Sequence, residues 1–263
     1  MRIPAIGLLA FAMMACVKGK DTGDTSKTND SGQPNDSGQP VENIGSNTPI
    51  DDQFDSFNSD IWEKSNGWSN GAPFAVGWQS DNVIFENGKM ILKLDDEGCP
   101  SSCSDQPYAS GEYRTIDFYG YGLYETSMQA VDKSGVVAAF FLYTGPYFGD
   151  DWEEIDIEIP GMLVSQYQVN FTANNVGGHE KVIDLEFNAS ADFHTYSIEW
   201  LPDQINWYVD DTLVNSVDGT VPDTAMKVYQ NFWTGDDEWL GTLDYTGPLQ
   251  VLYDWTSYTP YTN

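Results

Sequence analysis

The sequence predicts an all-β fold, an antiparallel β-sandwich, from two observations. Beyond residue 51, short runs of β-branched, aromatic and alternating residues follow one another, with turn residues between them. No stretch keeps the 3.6-residue apolar periodicity of a helix over several turns. Strands spaced in this way favour antiparallel sheets over parallel βαβ units. The roughly 210 residues after position 51 are enough for one sandwich around a single core.

Each predicted strand is rich in aliphatic, β-branched or aromatic residues and is bounded by Gly, Asn, Asp or Pro. In chain order, the clearest of them are residues 82–85, 90–94, 121–128, 136–143 and 196–200. A hairpin is predicted where residues 204–209 turn at Asp210 and Asp211 into residues 212–214.

One more predicted strand, within residues 152–159, carries three successive carboxylates on one face, over residues 154–158. Its two-residue period places Glu154, Asp156 and Glu158 on that face, with isoleucines on the other. Crowded carboxylates raise one another's pKa, and a carboxylate pair with separated pKa values performs glycoside hydrolysis. From this segment alone, two alternatives stay open: a solvated strand that discourages aggregation, and ligands for calcium.

The charge and composition narrow the class of partner. The chain has 263 residues and a formal charge of −30, from 41 acidic and 11 basic residues. Such a charge repels phosphate backbones and anionic membranes, so we expect no nucleic-acid partner. Aromatic residues make up 14% of the chain, which is typical of all-β domains and of proteins that stack rings on sugars.

The N-terminus is predicted to be a lipoprotein-type signal peptide, residues 1–16. Arg2 supplies the positive charge, and the apolar run of residues 3–14 is too short to span a bilayer. The run ends in Met-Met-Ala-Cys, which resembles a bacterial lipobox, so Cys16 is the predicted lipidation site. We therefore expect an exported lipoprotein of the cell surface or outer membrane, whose membrane contact is only this anchor. The alternative is ordinary secretory cleavage and a secreted protein.

Residues 17–50 are predicted to be a disordered linker, and residues 51–263 the folded domain. Residues 18–40 contain no large apolar side chain, and residues 29–34 are repeated as residues 35–40. Such a segment buries too little surface to offset the entropy of ordering.

Apart from Cys16, the cysteines are Cys99 and Cys103, separated by Pro-Ser-Ser. In an exported protein this local pair predicts a disulfide that tightens a loop. A metal site is disfavoured because the only histidines are His179 and His194, which lack ligand spacing and are expected to make structural hydrogen bonds.

A dozen short motifs follow one another along the predicted domain. They are FDSFNSDIWEK (54–64), GWSNG (67–71), GEYR (111–114), YGYGLY (119–124), FFLYTG (140–145), WEEIDIE (152–158), VGGHEKV (176–182), FHTYSIEW (193–200), WYVD (207–210), NFW (231–233), WLG (239–241) and YDW (253–255). In this order they resemble glycoside hydrolase family 16, and most closely the bacterial lichenases, which are endo-1,3-1,4-β-glucanases. The acidic motif lacks an extra residue before its last Glu, which looks like the lichenase and xyloglucan side of the family rather than the laminarinase side.

The resemblance implies a jelly-roll sandwich whose concave sheet forms a β-glucan cleft. It implies that Glu154 is the nucleophile, Glu158 the general acid/base and Asp156 the auxiliary group, with retention of configuration and no cofactor for catalysis. Glu153 is expected to point away from the cleft and has no assigned role. A monomer is expected. The alternatives are a transglycosylase, an enzyme acting on xyloglucan or another β-glucan, and a non-catalytic glucan-binding sandwich.

The resemblance also implies substrate-binding residues and a structural calcium. The substrate-binding residues are Trp68, Asn70, Glu112, Arg114, Phe141, Tyr143, Trp152, Asn170, Asn231 and Trp233. For each, strand packing is the alternative, and Glu112 and Arg114 could instead form a structural bridge with each other. The calcium ligands are the Asp254 carboxylate and the carbonyls of Gln53 and Gly88. Asp254 could equally be a surface acid.

Some positions depart from the lichenase pattern, and those in the cleft bear on subsite affinity and linkage preference rather than on the reaction type. The departures are Thr172 in place of a sugar-contacting Tyr, Ile159-Pro160 in place of Phe-Leu, a shorter 231–241 loop, and Val76 and Ser110 in place of a cysteine pair.

Overall fold

The computed structural model describes residues 43–97, 103 and 105–262, which form two packed β-sheets. The ten-stranded sheet contains β1 (Ile50–Asp52), β3 (Val76–Trp78), β4 (Val83–Phe85), β5 (Met90–Asp95), β6 (Tyr108–Ser110), β8 (Gly122–Gln129), β13 (His194–Leu201), β14 (Gln204–Val209), β15 (Thr212–Asp218) and β17 (Leu249–Pro260). The seven-stranded sheet contains β2 (Trp62–Lys64), β7 (Glu112–Thr115), β9 (Val136–Thr144), β10 (Glu153–Pro160), β11 (Gln166–Thr172), β12 (Lys181–Asp184) and β16 (Lys227–Thr234).

The strand order confirms the predicted antiparallel sandwich. The larger sheet runs β15-β14-β13-β8-β17-β5-β6-β3, with β1 on β17 and β4 on β5, and the smaller runs β12-β11-β10-β9-β16-β7-β2. Among the described strands, only β3 and β6 pair in parallel. The helical elements described are a 3₁₀ turn, Ser80–Asn82, and a single turn, α1 (Asp237–Leu240). In the part of the chain that the structure covers, no helix has the length and apolar character needed to cross a bilayer.

The predicted strands lie where the alternating pattern placed them. Residues 82–85 and 90–94 fall on β4 and β5, which pair antiparallel across the turn that contains Asn87 and Gly88. The hairpin of β14 and β15 turns at Asp210 and Asp211, which adopt positive φ angles of 46° and 63°. Asp tolerates this left-handed region better than most residues, so the Asp-Asp pair was a valid sequence signal for the turn.

The core lies between the two sheets, and the face of β10 opposite the acids packs against it. Ile155, Ile157 and Ile159 are fully buried against it, and burying each contributes roughly 1.5–3 kcal/mol. The opposite sheet also hydrogen-bonds to the backbone of the smaller sheet. Trp207 Nε1 donates to the carbonyl of Asp156 at 3.1 Å, and the Tyr253 hydroxyl donates to the carbonyl of Ala139 at 2.9 Å.

The ordered domain begins before the predicted boundary at residue 51. Asn43 Nδ2 donates to the Tyr121 carbonyl at 2.9 Å, and Ile44 packs against the core. A Cβ on Gly120 would lie 1.5 Å from the Ile44 carbonyl oxygen, so only glycine lets this segment approach. The segment has no strand periodicity, and these contacts depend on a distant part of the chain. The predicted signal peptide with Cys16, and most of the predicted linker, lie outside the described residues.

Cys103 is disulfide-bonded and fully buried, and its Sγ accepts a hydrogen bond from Gln79 Nε2 at 3.0 Å. Cys99 lies outside the described residues, so its pairing with Cys103 stays a prediction. The positions of the lichenase cysteine pair are also buried: Val76 lies on β3, and the Ser110 hydroxyl on β6 donates to the Phe232 carbonyl. At Ser110, a hydrogen bond between the two sheets therefore takes the place of one cysteine of that pair.

Ile157→Ala is expected to destabilise the fold by about 2–5 kcal/mol, because it leaves a cavity behind β10. Chemical denaturation measures the free energy of unfolding. Leu213→Ala, which removes a side chain that is 53% exposed, is the matched control and should change it by no more than about 0.5 kcal/mol. Equal effects of the two variants would contradict the placement of Ile157 in the core.

Candidate active site

β10 lies inside the seven-stranded sheet, and its acidic side chains share one face. It pairs with β9 and β11 without a register shift, so no bulge rotates any acid out of phase. The cross-strand rows on the concave face are Thr172–Glu154–Tyr143, Asn170–Asp156–Phe141 and Gln168–Glu158–Ala139. The predicted phase of the three acids is therefore confirmed.

This face forms the floor of an open cleft with a volume of about 400 Å³. Glu154, Asp156 and Glu158 all line it. Half of the predicted substrate-binding residues line it as well, namely Phe141, Trp152, Asn170, Asn231 and Trp233. The floor is therefore acidic, while much of the wall is aromatic.

Each acid on the floor receives a hydrogen bond from a neutral donor. Trp152 Nε1 donates to Glu154 Oε2 at 2.7 Å, and Gln168 Nε2 donates to Glu158 Oε2 at 3.2 Å. The Asn170 side chain hydrogen-bonds Asp156. These donors orient the carboxyl groups without neutralising them, so the groups remain available for proton transfer and nucleophilic attack.

Burial raises the pKa of all three acids. The pKa of Glu154 rises to about 8, through burial and the charge of Glu158, against the opposing effect of the Trp152 hydrogen bond. That of Glu158 rises to about 7, through burial and the charge of Glu180, against the Gln168 hydrogen bond. That of Asp156 rises well above its ordinary value through burial and both glutamates. Near pH 7 the three groups therefore share protons, which acid–base catalysis requires.

The other predicted binding residues lie beside the cleft. Glu112 is buried, which raises its pKa, and it accepts hydrogen bonds from Ser65 Oγ at 2.7 Å and Asn231 Nδ2 at 3.2 Å. It therefore orients Asn231. Tyr143 stands next to Glu154, and burial together with the charge of Glu154 raises the pKa of Tyr143 to about 12.

Arg114 does not form the suggested bridge with Glu112. Its Nε instead donates to Glu63 Oε1 at 2.8 Å, and its guanidinium lies 5.7 Å from the centroid of the Trp68 ring. Asn70 accepts a hydrogen bond from Trp78 Nε1 at 2.7 Å. These contacts support one side of the concave sheet.

Glu153 points away from the cleft, as expected, but it has a structural role that the sequence did not reveal. It is buried on the opposite side of β10, and its Oε2 accepts hydrogen bonds from the backbone N–H groups of Asp223 and Thr224 at 3.0 and 2.7 Å. It thus anchors the loop before β16 to the strand that carries the acids.

The structure adds cleft residues that the sequence did not single out. They include Phe74, Met162, Gln168, Glu180 and Trp239. Gln168 could have been found, because polar residues alternate along β11 through Gln166, Gln168 and Asn170. Trp239 and Glu180 lie within motifs that carried the resemblance, but in segments without strand periodicity.

The histidines and the predicted calcium ligands lie elsewhere. His179 Nδ1 hydrogen-bonds the Phe171 carbonyl at 2.9 Å, and His194 Nδ1 hydrogen-bonds Asp210 Oδ2 at 2.7 Å, as expected for structural roles. Asp254 Oδ1 accepts from Lys89 Nζ at 2.6 Å. Within the described residues, no group of three or more His, Cys, Asp or Glu side chains is arranged for a metal ion. A single carboxylate held by an ammonium group is a poor fit to calcium, which takes six to eight oxygen ligands.

Comparisons with known proteins agree with this geometry. A family model described as Glycosyl hydrolases family 16 matches residues 70–257. A beta-glucanase of Paenibacillus polymyxa is 45% identical over 206 residues, which cover 77% of this chain and 84% of that protein. A lichenase structure from a mouse hindgut metagenome is 41% identical, with a TM-score of 0.77, over 81% of this chain and 100% of that one. The structure of Bacillus licheniformis beta-glucanase is 38% identical, with a TM-score of 0.76, over 81% and 98% of the two chains.

Trp152→Phe is expected to raise the pKa of Glu154 further. The change keeps the aromatic ring but removes the N–H that stabilises the ionised carboxylate. Carboxyl ¹³C NMR across a pH series measures this titration. Trp233→Phe, which alters another ring of the cleft, is the control and should leave the Glu154 titration in place. An unchanged titration in Trp152→Phe would contradict the role given to this hydrogen bond.

Proposed function

Because the chain belongs to glycoside hydrolase family 16, we propose that it is a retaining endo-β-glucanase that hydrolyses mixed-linkage 1,3-1,4-β-D-glucan. The observation that carries the proposal is the unbroken β10, which presents Glu154, Asp156 and Glu158 to one open cleft. The beta-glucanase name of the Paenibacillus relative and the lichenase title of the metagenomic structure support the substrate. The family's hydrolysis needs no cofactor for catalysis.

In the first step, ionised Glu154 attacks the anomeric carbon while protonated Glu158 donates its proton to the leaving glycosidic oxygen. One bond forms to Glu154 Oε as the bond to the leaving oxygen breaks, which yields a covalent glycosyl-enzyme. The Trp152 N–H stabilises the charged form of Glu154. The negative charge of Glu180 favours the protonated form of Glu158. These two contributions act in the directions that the two roles require, within an interacting pair whose pKa values burial raises to about 8 for Glu154 and about 7 for Glu158.

In the second step, Glu158 accepts a proton from a water molecule as the water oxygen attacks the anomeric carbon. The bond to Glu154 then breaks, so configuration is retained and both carboxyl groups return to their starting states. Residues four apart on a strand are about 13 Å apart at Cα, whereas retaining carboxyl pairs lie about 5–5.5 Å apart. Long glutamate side chains at both outer positions, leaning over Asp156, span this difference.

Substrate contacts in the cleft combine rings with open hydrogen-bond acceptors. Trp152, Trp233 and Phe141 line the cleft and offer faces on which sugar C–H groups can stack. Among the described residues, Asn170 Oδ1 and Asn231 Oδ1 are buried without a hydrogen-bond partner. An unpartnered buried acceptor costs about 1–3 kcal/mol, so both are poised to accept from sugar hydroxyl groups.

Assays of the purified protein on lichenan and barley β-glucan, with laminarin and xyloglucan as comparisons, test the substrate. We expect oligosaccharide products from the first two, and ¹H NMR should show the new reducing end initially as the β-anomer. Turnover of laminarin or xyloglucan alone would overturn the mixed-linkage assignment, and initial α-products would overturn retention.

The roles of the two glutamates predict opposite products with an added nucleophile. Glu158→Ala should lower turnover roughly 10²- to 10⁴-fold; with an activated β-aryl glycoside, whose phenolate leaves without a proton, azide should restore turnover by attacking the glycosyl-enzyme from the β-face to give a β-glycosyl azide. Glu154→Ala removes the covalent step, so azide attack on an activated β-substrate should give an α-glycosyl azide. Product NMR distinguishes the two, and exchanged outcomes would reverse the assignment.

We also propose that the protein is monomeric and exported as a lipoprotein anchored through Cys16. The support for export and anchoring is the N-terminal sequence, with its Arg2, apolar run and lipobox-like ending, and the monomer stays a prediction. Cys16→Ser should move the protein from the membrane fraction to the soluble fraction of the producing cell. A distribution equal to that of the unaltered protein would favour ordinary secretion.

A structural calcium at Asp254, implied by the resemblance, competes with Lys89 for the same carboxylate. If calcium binds, EDTA should lower the melting temperature and added CaCl₂ should restore it, because a ligand of the folded state stabilises it by mass action. Asp254→Asn should abolish this response, whereas Asp184→Asn, at an exposed site on another strand, should retain it. A melting temperature that is insensitive to EDTA would leave the Lys89 pair as the only partner of Asp254.

A further inference from the structure

Glu180 is a fourth acid at the catalytic centre, contributed by the segment that leads into β12. It directly precedes Lys181, which pairs with Val169 of β11, and its side chain lines the cleft. Its Oε2 is buried and has no hydrogen-bond partner among the described residues. A buried carboxylate oxygen without a donor costs free energy, so its retention calls for an explanation.

The sequence neighbours that could neutralise Glu180 are both turned elsewhere. His179 stacks on the Phe171 ring, with centroids 3.9 Å apart, and hydrogen-bonds the Phe171 carbonyl. Lys181 Nζ donates to Asn215 Oδ1 at 2.6 Å. Glu180 therefore faces the cleft without a cationic partner from its own segment.

The elements around Glu158 supply no compensating cation either. Its cross-strand neighbours are Gln168 on β11 and Ala139 on β9, and the next residue along that row is Asn231 on β16. Among the described residues that line the cleft there is no Lys, Arg or His. The acids that line it are Glu154, Asp156, Glu158, Glu180, Asp236 and Glu238.

Two other basic side chains of the concave sheet, Arg114 and Lys227, contact Glu63 on β2, at the opposite edge of the sheet from β12. Arg114 donates to Glu63, and Lys227 Nζ donates to the Thr115 carbonyl at 2.9 Å and to Glu63 at 3.3 Å. Among the described residues that line the cleft, the charged side chains around Glu158 are therefore all acidic.

We propose that Glu180 is a positioning residue that acts through Glu158: its carboxylate, added to the effect of burial, favours the protonated general acid and so extends turnover to higher pH. This rests on the proposed function for its kinetic consequence. The electrostatics agree with the geometry: burial raises the pKa of Glu158 to about 7, the Gln168 hydrogen bond opposes this rise, and the Glu180 charge adds to it. Glu158 stays protonated below that pH and loses its proton as the pH rises through it.

Glu180→Gln tests the proposal, because it removes the charge and preserves the shape. The alkaline limb of kcat/KM on barley β-glucan should move to lower pH, so activity at pH 8 should fall about threefold to tenfold relative to activity at pH 5.5. The loss should appear in kcat as well as in kcat/KM. Glu180→Asp retains the charge and should keep the alkaline limb nearer to that of the unaltered enzyme.

Glu186→Gln, the same change at an exposed position of the following segment, is the matched control and should leave the profile in place. A Glu180→Gln profile that superimposes on the unaltered one, or that falls equally at every pH, would overturn the proposal. Carboxyl ¹³C NMR of Glu158, assigned by its absence in Glu158→Gln, gives a second readout that needs no substrate. Its titration should move to lower pH in Glu180→Gln, and an unmoved titration overturns the proposal even if the substrate assignment is itself wrong.

Discussion

The uninterrupted antiparallel pairing of β10 with β9 and β11 is the constraint on which the rest of the site depends. Because successive side chains alternate across a strand, one register places three isoleucines in the core and three acids on the concave face. A slip of one residue would put carboxylates in the core and isoleucines in the cleft. Burial of the apolar face therefore offsets the repulsion on the acidic face: the free energy that stabilises the sandwich also holds the like charges side by side.

Those charges are tolerated because the cleft provides neutral hydrogen-bond donors instead of cations. Trp152, Gln168 and Asn170 each orient one carboxyl group, while burial favours protonated forms. A lysine or arginine in their place would lower the pKa values and leave no general acid near neutral pH. Glu180 extends the same arrangement from a neighbouring segment. Orientation by dipoles and protonation by desolvation together make a row of repelling acids usable for hydrolysis.

Residues that were predicted and those that were missed differ in how far their contacts reach along the chain. The isoleucines and acids of β10 were predictable because period-two alternation is a local signal. The partner of Arg114 was not, since Glu63 is 51 positions away on another strand of the sheet. Glu153 was correctly oriented from its phase, yet its hydrogen bonds to Asp223 and Thr224 join segments about 70 residues apart. The contacts of Asn43 and Ile44 with the domain were missed for the same reason.

The sequence by itself determined the sandwich, the strand that carries Glu154, Asp156 and Glu158, and the face to which they point, because side-chain alternation and turn chemistry are encoded over a few residues. Only the tertiary structure decided which groups surround those acids. No cation lies among the described cleft residues, and His179 and Lys181 bond elsewhere. Glu180 and Glu158 line the same cleft, and the charge of Glu180 acts on Glu158. All of this depends on contacts between separate strands. Electrostatic interactions act through space, so the pKa values of Glu154, Asp156 and Glu158 depend on segments that are distant in the sequence and close only in the folded protein.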